Sequence, residues 1–274
     1  MTRAAAFTLL ELLIVMGVMI LVIGFIAPAL TGIKTAGDVT SAAYTIKGVL
    51  DQARTYAMAN NTYTWVGFYE EDGSRASASP AATPGTGRVV LSVVGSRDGT
   101  TVYKTGSPGN IDPTQLIQVG KLTKLQNAHF PVLGDVTPTP SPAGATFDTR
   151  PAPDETFGAN SCRFGDLQLG SSGAAPTADT QFPFQYPVGN PAPSAQYVFT
   201  KVLQFNPRGE ASVTIQFQNP SYYSYTMLRA IEIGLVATHG NSAPSPNPAP
   251  GYYTGNVAAL QLTGLAGDVR IYRR

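Results

Sequence analysis

The side chains that could carry chemistry in this chain are few and scattered. His129 and His239 are its two histidines, and they lie in different segments. Neither has a partner at metal-ligand spacing, where several His, Cys or carboxylate donors must converge on one ion. Cys162 is the single cysteine. It cannot close an intrachain disulfide, and it reads as a small buried apolar residue. Glu70, Glu71 and Asp72 stand in a row and could hold a cation, but a charge run at a turn is ordinarily solvated. Ser171 and Ser172 lie in a linker-like stretch, without the Gly-x-Ser-x-Gly frame that presents a nucleophile. The sequence also lacks a Gly-rich phosphate loop. These residues therefore imply no catalytic constellation and no cofactor, and the chain reads as a non-enzyme.

Two charged features remain. Arg270, Arg273 and Arg274 form a small basic cluster around Tyr272 at the C-terminus. Phosphate binding needs several cations presented together, and three terminal arginines fall short of that. The formal net charge is +1, so nothing in the balance calls for nucleic acid or an anionic surface. Nucleic acid is not an expected partner. The second feature is Glu11, the one charge in the apolar stretch FTLLELLIVMGVMILVIGFIAPAL at residues 7–30. Residues 12–30 carry no charge and reach about 29 Å as a helix. A bilayer's hydrocarbon core is about 30 Å thick, so the stretch reads as a transmembrane helix. A lone carboxylate there costs roughly 2.5–3.5 kcal/mol on insertion scales and needs a partner. A free α-amine at Phe7, one turn away or on a neighbouring subunit, would supply it.

Around Glu11 the sequence Ala6-Phe7-Thr8-Leu9-Leu10-Glu11 resembles the class III signal of type IV pilins and type II secretion pseudopilins. The resemblance implies a leader, residues 1–6, removed by a prepilin peptidase between Ala6 and Phe7. It implies N-methylation of Phe7, with Glu11 at the fifth mature position and Pro28 at the twenty-second, where such helices often carry a kinking proline. Ala6 departs from the usual Gly. A second resemblance lies at Ala53, Arg54 and Ala57, followed by a strand, which is similar to H-type minor pseudopilins and FimT-type minor pilins. Phe205, Pro207, Gly209, Gly267, Val269 and Arg270 continue it near the C-terminus. Some relatives of that kind bind DNA through C-terminal arginines, which makes a DNA- or surface-binding module at a fibre tip the alternative to a purely structural role.

The elements that must position these residues follow from pattern. Charged residues make up 13% of the chain, with 28 Gly and 22 Pro, so loops should be abundant. Val39, Ala43, Ile46, Leu50, Ala53 and Ala57 recur at spacings of three or four and predict an amphipathic helix over 31–61. Asn60-Asn61 is its expected C-cap. Residues 62–69 then predict a strand, and residues 88–94 and 100–103 a hairpin. Further strands are expected at 116–125, 163–169, 198–205, 211–217, 230–237, 257–262 and 268–272. Residues 134–145 read as a Pro-rich linker, and about 72–195 as a loop-rich insertion.

Together these readings predict an α+β fold. A long N-terminal helix, transmembrane over 7–30 and amphipathic over 31–61, would pack on an antiparallel β-domain at 62–274, in the lollipop shape of the pilins. The resemblance implies a minor pseudopilin: single-pass in a bacterial inner membrane, N-terminus cytoplasmic, β-domain periplasmic, then assembled with other pilin-like subunits into a fibre.

Overall fold

The computed structural model describes residues 9–77, 83–103, 109–134, 146–153, 162–164, 182–217, 222–245, 253 and 255–274. Among the described residues, helix α1 (Leu9–Ala59) is followed by thirteen strands. These are β1 (Thr64–Asp72), β2 (Gly87–Ser96), β3 (Leu116–Gln118), β4 (Thr123–His129), β5 (Arg163–Phe164), β6 (Phe184–Tyr186) and β7 (Tyr197–Phe199). The rest are β8 (Lys201–Phe205), β9 (Ala211–Phe217), β10 (Tyr222–Thr226), β11 (Ile231–Ala237), β12 (Val257–Leu262) and β13 (Val269–Arg273). Short 3₁₀ turns occur at Pro113–Gln115 and Phe147–Thr149.

Eleven strands form one sheet in the order β10-β9-β8-β1-β2-β4-β11-β12-β13, with β3 beside β2 and β5 beside β11. All its pairs are antiparallel except β5 with β11. The junction of β4 with β11 is narrow: Ala128 faces Ala237 and His129 faces Val236. Side chains alternate across a strand, so Thr64, Val66, Phe68 and Glu70 face one side. That side is α1's, because Thr64 Oγ1 donates to Ala53 O at 3.0 Å. On it Val39, Ala42, Ala43, Ile46, Val49, Leu50, Ala53 and Ala57 of α1 are buried.

The opposite face is covered as well. The hairpin β6-β7 lies over β1, where Tyr69 meets Tyr197 edge-on at 5.4 Å. A Cβ added to Gly67 would sit 2.5 Å from Phe199 Cβ, so only glycine lets this hairpin close on the sheet. Farther along, Leu133 and Phe147 cover Val236, Val257 and Ala259. Cover on both sides explains why every residue of β2 is buried. It also explains why residues 89–94, VVLSVV, are apolar on both faces apart from Ser92.

The helix ends in a Schellman turn. Thr62 N donates to Ala57 O and Asn61 N to Met58 O, with Asn61 at φ 49°. The last turns of α1 sit on two glycine turns. Arg54 Nε donates to Gly209 O at 3.3 Å. A Cβ on Gly267 would lie 2.1 Å from Gly209 O. Arg54, Gly209 and Gly267, far apart in sequence, thus meet at one node.

Several expectations are corrected. The expected α+β class put a membrane-spanning helix on a modest C-terminal sheet. The protein is instead mostly β, built on an eleven-stranded sheet, and among the described residues no helix is long and apolar enough to cross a membrane. The transmembrane assignment at 7–30 is therefore not upheld. Nor is the single-pass inner-membrane placement, with its cytoplasmic N-terminus and periplasmic domain, because that placement rested on the span.

Within 72–195, β2 and β4 occupy the middle of the sheet, and β6 pairs with β7 beyond the segment to supply outer cover. The strand expected at 116–125 is two strands, divided at Gly120 with φ 80°. No strand forms at 100–103.

Candidate functional site: an exposed apolar helix segment

Four of the sequence-predicted positions lie on or before α1. Ala6 and Phe7 fall outside the described residues. Pro28 lies within the helix. Glu11 stands in its first turn, with an exposed side chain. Around Glu11 the large apolar residues over 9–23 are exposed on every side of the helix, from 47% at Val22 to 85% at Leu9. Good helix formers such as Leu and Met favour the conformation, but no other part of the described chain covers these side chains. A helix that is apolar all round belongs in an apolar surrounding. The chemistry this segment supports is association through its surface.

The C-terminal arginines do not act together. Arg270 lies 3.7 Å from Asp268. Arg273 is exposed. Arg274 pairs with Asp148, donates to Tyr253 O at 3.1 Å, and stacks over Phe147 at 5.5 Å. Two of the three already face carboxylates, which lowers the positive field available to a phosphate chain.

The acidic run at 70–72 is not the solvated turn its composition suggests. It forms the end of β1, and Glu70 and Glu71 are buried on opposite faces. Glu70 faces α1's side. It accepts from Phe130 N at 2.6 Å and pairs with His129 Nδ1 at 3.0 Å. His129 is thereby absorbed into a buried hydrogen-bonded pair, while His239 lies in an exposed turn.

Glu71, on the outer face, accepts from Arg88 Nη1 at 3.1 Å, Tyr197 OH at 3.1 Å and Ser77 Oγ at 2.9 Å. Lys124 donates to Tyr197 OH and to Ser77 Oγ. Lys124 also lies 3.6 Å from Glu71. Facing a carboxylate and donating to both hydroxyls, it binds the cluster together. Burial, with the Glu71 charge behind it, pushes the Tyr69 hydroxyl up to about 12. Asp72 is partly exposed, and hydrogen bonds from the Ser74 side chain and backbone hold it below the usual carboxylate range.

A third polar group joins Arg150 to Glu232 at 2.7 Å, with Gln261 donating to Glu232 at 2.9 Å. It fastens the 146–153 segment over β11 and β12. Sequence reasoning missed all three groups. The available signal was a lone charge inside an apolar strand, as with Glu232 in AIEIGLVA. Such a charge is buried only with a partner.

Among the described residues no cluster of three or more His, Cys, Asp or Glu is placed to hold a metal ion. Cys162 is buried and is not part of a disulfide. Ser171 and Ser172 lie outside the described residues. No family model, no curated protein and no solved structure matches the chain.

Proposed function

We propose that this chain is a structural, pilin-like subunit, of the minor pseudopilin kind, that assembles into a fibre through the N-terminal part of α1. The observation that supports this reading most is the ring of exposed apolar side chains over residues 9–23. Burying them against like helices removes a large apolar surface from water, at roughly 25 cal/mol per Å².

Glu11 sits inside that ring. A prepilin peptidase acting between Ala6 and Phe7 would create an α-amine one turn before it. In a dry helix bundle Glu11 then pairs with the amine of Phe7 on an adjacent subunit. Leaving one such charge buried without the other costs about 3–5 kcal/mol. The β-rich domain has no catalytic or metal role in this scheme; it presents surface along the fibre.

Glu11→Ala, made in the full chain in its native cells, tests the reading. Fibres are counted by electron microscopy, and the N-terminus is read by intact mass and terminal sequencing. The expected result is a chain beginning at N-methylated Phe7 in both proteins, with fibres from the unaltered chain alone. Normal incorporation of Glu11→Ala, or retention of Met1 in the unaltered chain, would refute it.

A further inference from the structure

Met58 stands in the last turn of α1, four residues after Arg54 and on the same side of the helix. It is 38% exposed, yet its sulfur belongs to the node where the helix meets two turns of the β-domain. A Cβ added to Gly209 would lie 2.7 Å from Met58 Sδ and 3.1 Å from Arg54 Nε. Both atoms therefore border one small space beside Gly209. There Arg54 Nε donates to Gly209 O at 3.3 Å, which is long for an N–H···O bond. A thioether sulfur is only a weak acceptor, so in the reduced protein it does not compete with Gly209 O for the guanidinium.

We infer that Met58 is an oxidation site for hydrogen peroxide, and that its sulfoxide draws Arg54 away from Gly209. A lone pair of the sulfur attacks one peroxide oxygen. The O–O bond breaks, an S–O bond forms, and the second oxygen leaves as water with both peroxide protons. The sulfur loses two electrons and the peroxide gains them. A flexible apolar side chain thereby becomes a polar one. Its new oxygen is an acceptor on the side chain four residues from Arg54, the spacing at which helical neighbours touch. Once Arg54 turns to it, the turns at 206–209 and 263–267, which meet at Gly209 and Gly267, lose that tie to the helix. The site is independent of the apolar segment and of fibre assembly.

Peroxide treatment of the full chain, held monomeric in mild detergent, tests this. Peptide mass mapping locates the added oxygen, and urea unfolding reads the consequence. The expected result is one oxygen on Met58 and a lower unfolding midpoint. Methionine sulfoxide reductases, one for each sulfoxide epimer, should restore the midpoint. Met58→Leu conserves helix propensity and volume. Its midpoint should not fall under the same treatment, although Met16, Met19 and Met227 remain open to oxidation. Arg54→Leu should start from a lower midpoint and fall no further, an outcome that a mere disturbance of packing by the sulfoxide would not give. A Met58 left unoxidised while Met227 is oxidised would overturn the inference. So would an unchanged midpoint with Met58 fully oxidised, an equal fall in Met58→Leu, or a further fall of wild-type size in Arg54→Leu.

Discussion

Gly267 and Gly240 allow one packing contact to be weighed by subtraction. Both have φ 62°, so an alanine at either pays the same conformational penalty, roughly 1–2 kcal/mol for the left-handed region. Both substitutions also stiffen the unfolded chain by a similar amount. Their surroundings differ. A Cβ at Gly240 meets nothing within 4 Å, whereas at Gly267 it would lie 2.1 Å from Gly209 O and 3.0 Å from Arg54 Cδ. The near neighbour is backbone, held by the Arg54 bond, and cannot swing aside. Overpacking of that kind adds about 1–3 kcal/mol. Gly267→Ala should therefore cost about 2–5 kcal/mol and Gly240→Ala about 1–2 kcal/mol. Against a total stability of about 5–15 kcal/mol the first figure is large. Urea unfolding of the full chain, held monomeric in mild detergent, measures both: the midpoint falls and the slope stays constant. Equal midpoints for the two variants would refute the account of the Arg54–Gly209–Gly267 node.

Other consequences follow from the buried polar groups. Arg88→Met should cost about 3–5 kcal/mol, because it leaves the Glu71 carboxylate buried with one fewer charged partner; the double variant with Glu71→Gln should recover part of that loss in a double-mutant cycle. Tyr69 should make the fold alkali-sensitive. Its hydroxyl titrates near 10 in the unfolded chain and at about 12 in the folded one. The folded state thus keeps a proton that the unfolded state has lost. The associated stability is complete below pH 10 and disappears as pH rises toward 12. Tyr69→Phe should flatten that decline in denaturation midpoints measured from pH 9 to 12, and an unchanged decline would contradict the assignment.

The parts of the fold that were legible in sequence are those whose pattern is local. The six stripe positions from Val39 to Ala57 are all buried in α1, because a 3.6-residue period records which side of a helix meets the core. The runs at 230–237 and 257–262 coincide closely with β11 and β12. What escaped reading depends on distant chain. β6, β7 and β10 are only three to five residues long, too short to show a period. Pro and Gly density across 72–195 marked turns correctly but could not show that the chain returns to the middle of the sheet. The fate of Glu70 and Glu71 was equally hidden, since His129 and Tyr197 lie 59 and 126 residues away. For residues 9–23, hydropathy records avoidance of water and is silent on what replaces it.

The narrow junction between β4 and β11 gives the sheet a mechanical character. Two residue pairs join the six strands from β10 to β4 to the block of β11, β12 and β13. Helix α1 touches strands on both sides of that seam, β8, β1, β2 and β4 on one and β11, β12 and β13 on the other. It acts as a splint. A pull on it is passed to both blocks, so the load does not fall on the two-pair seam alone.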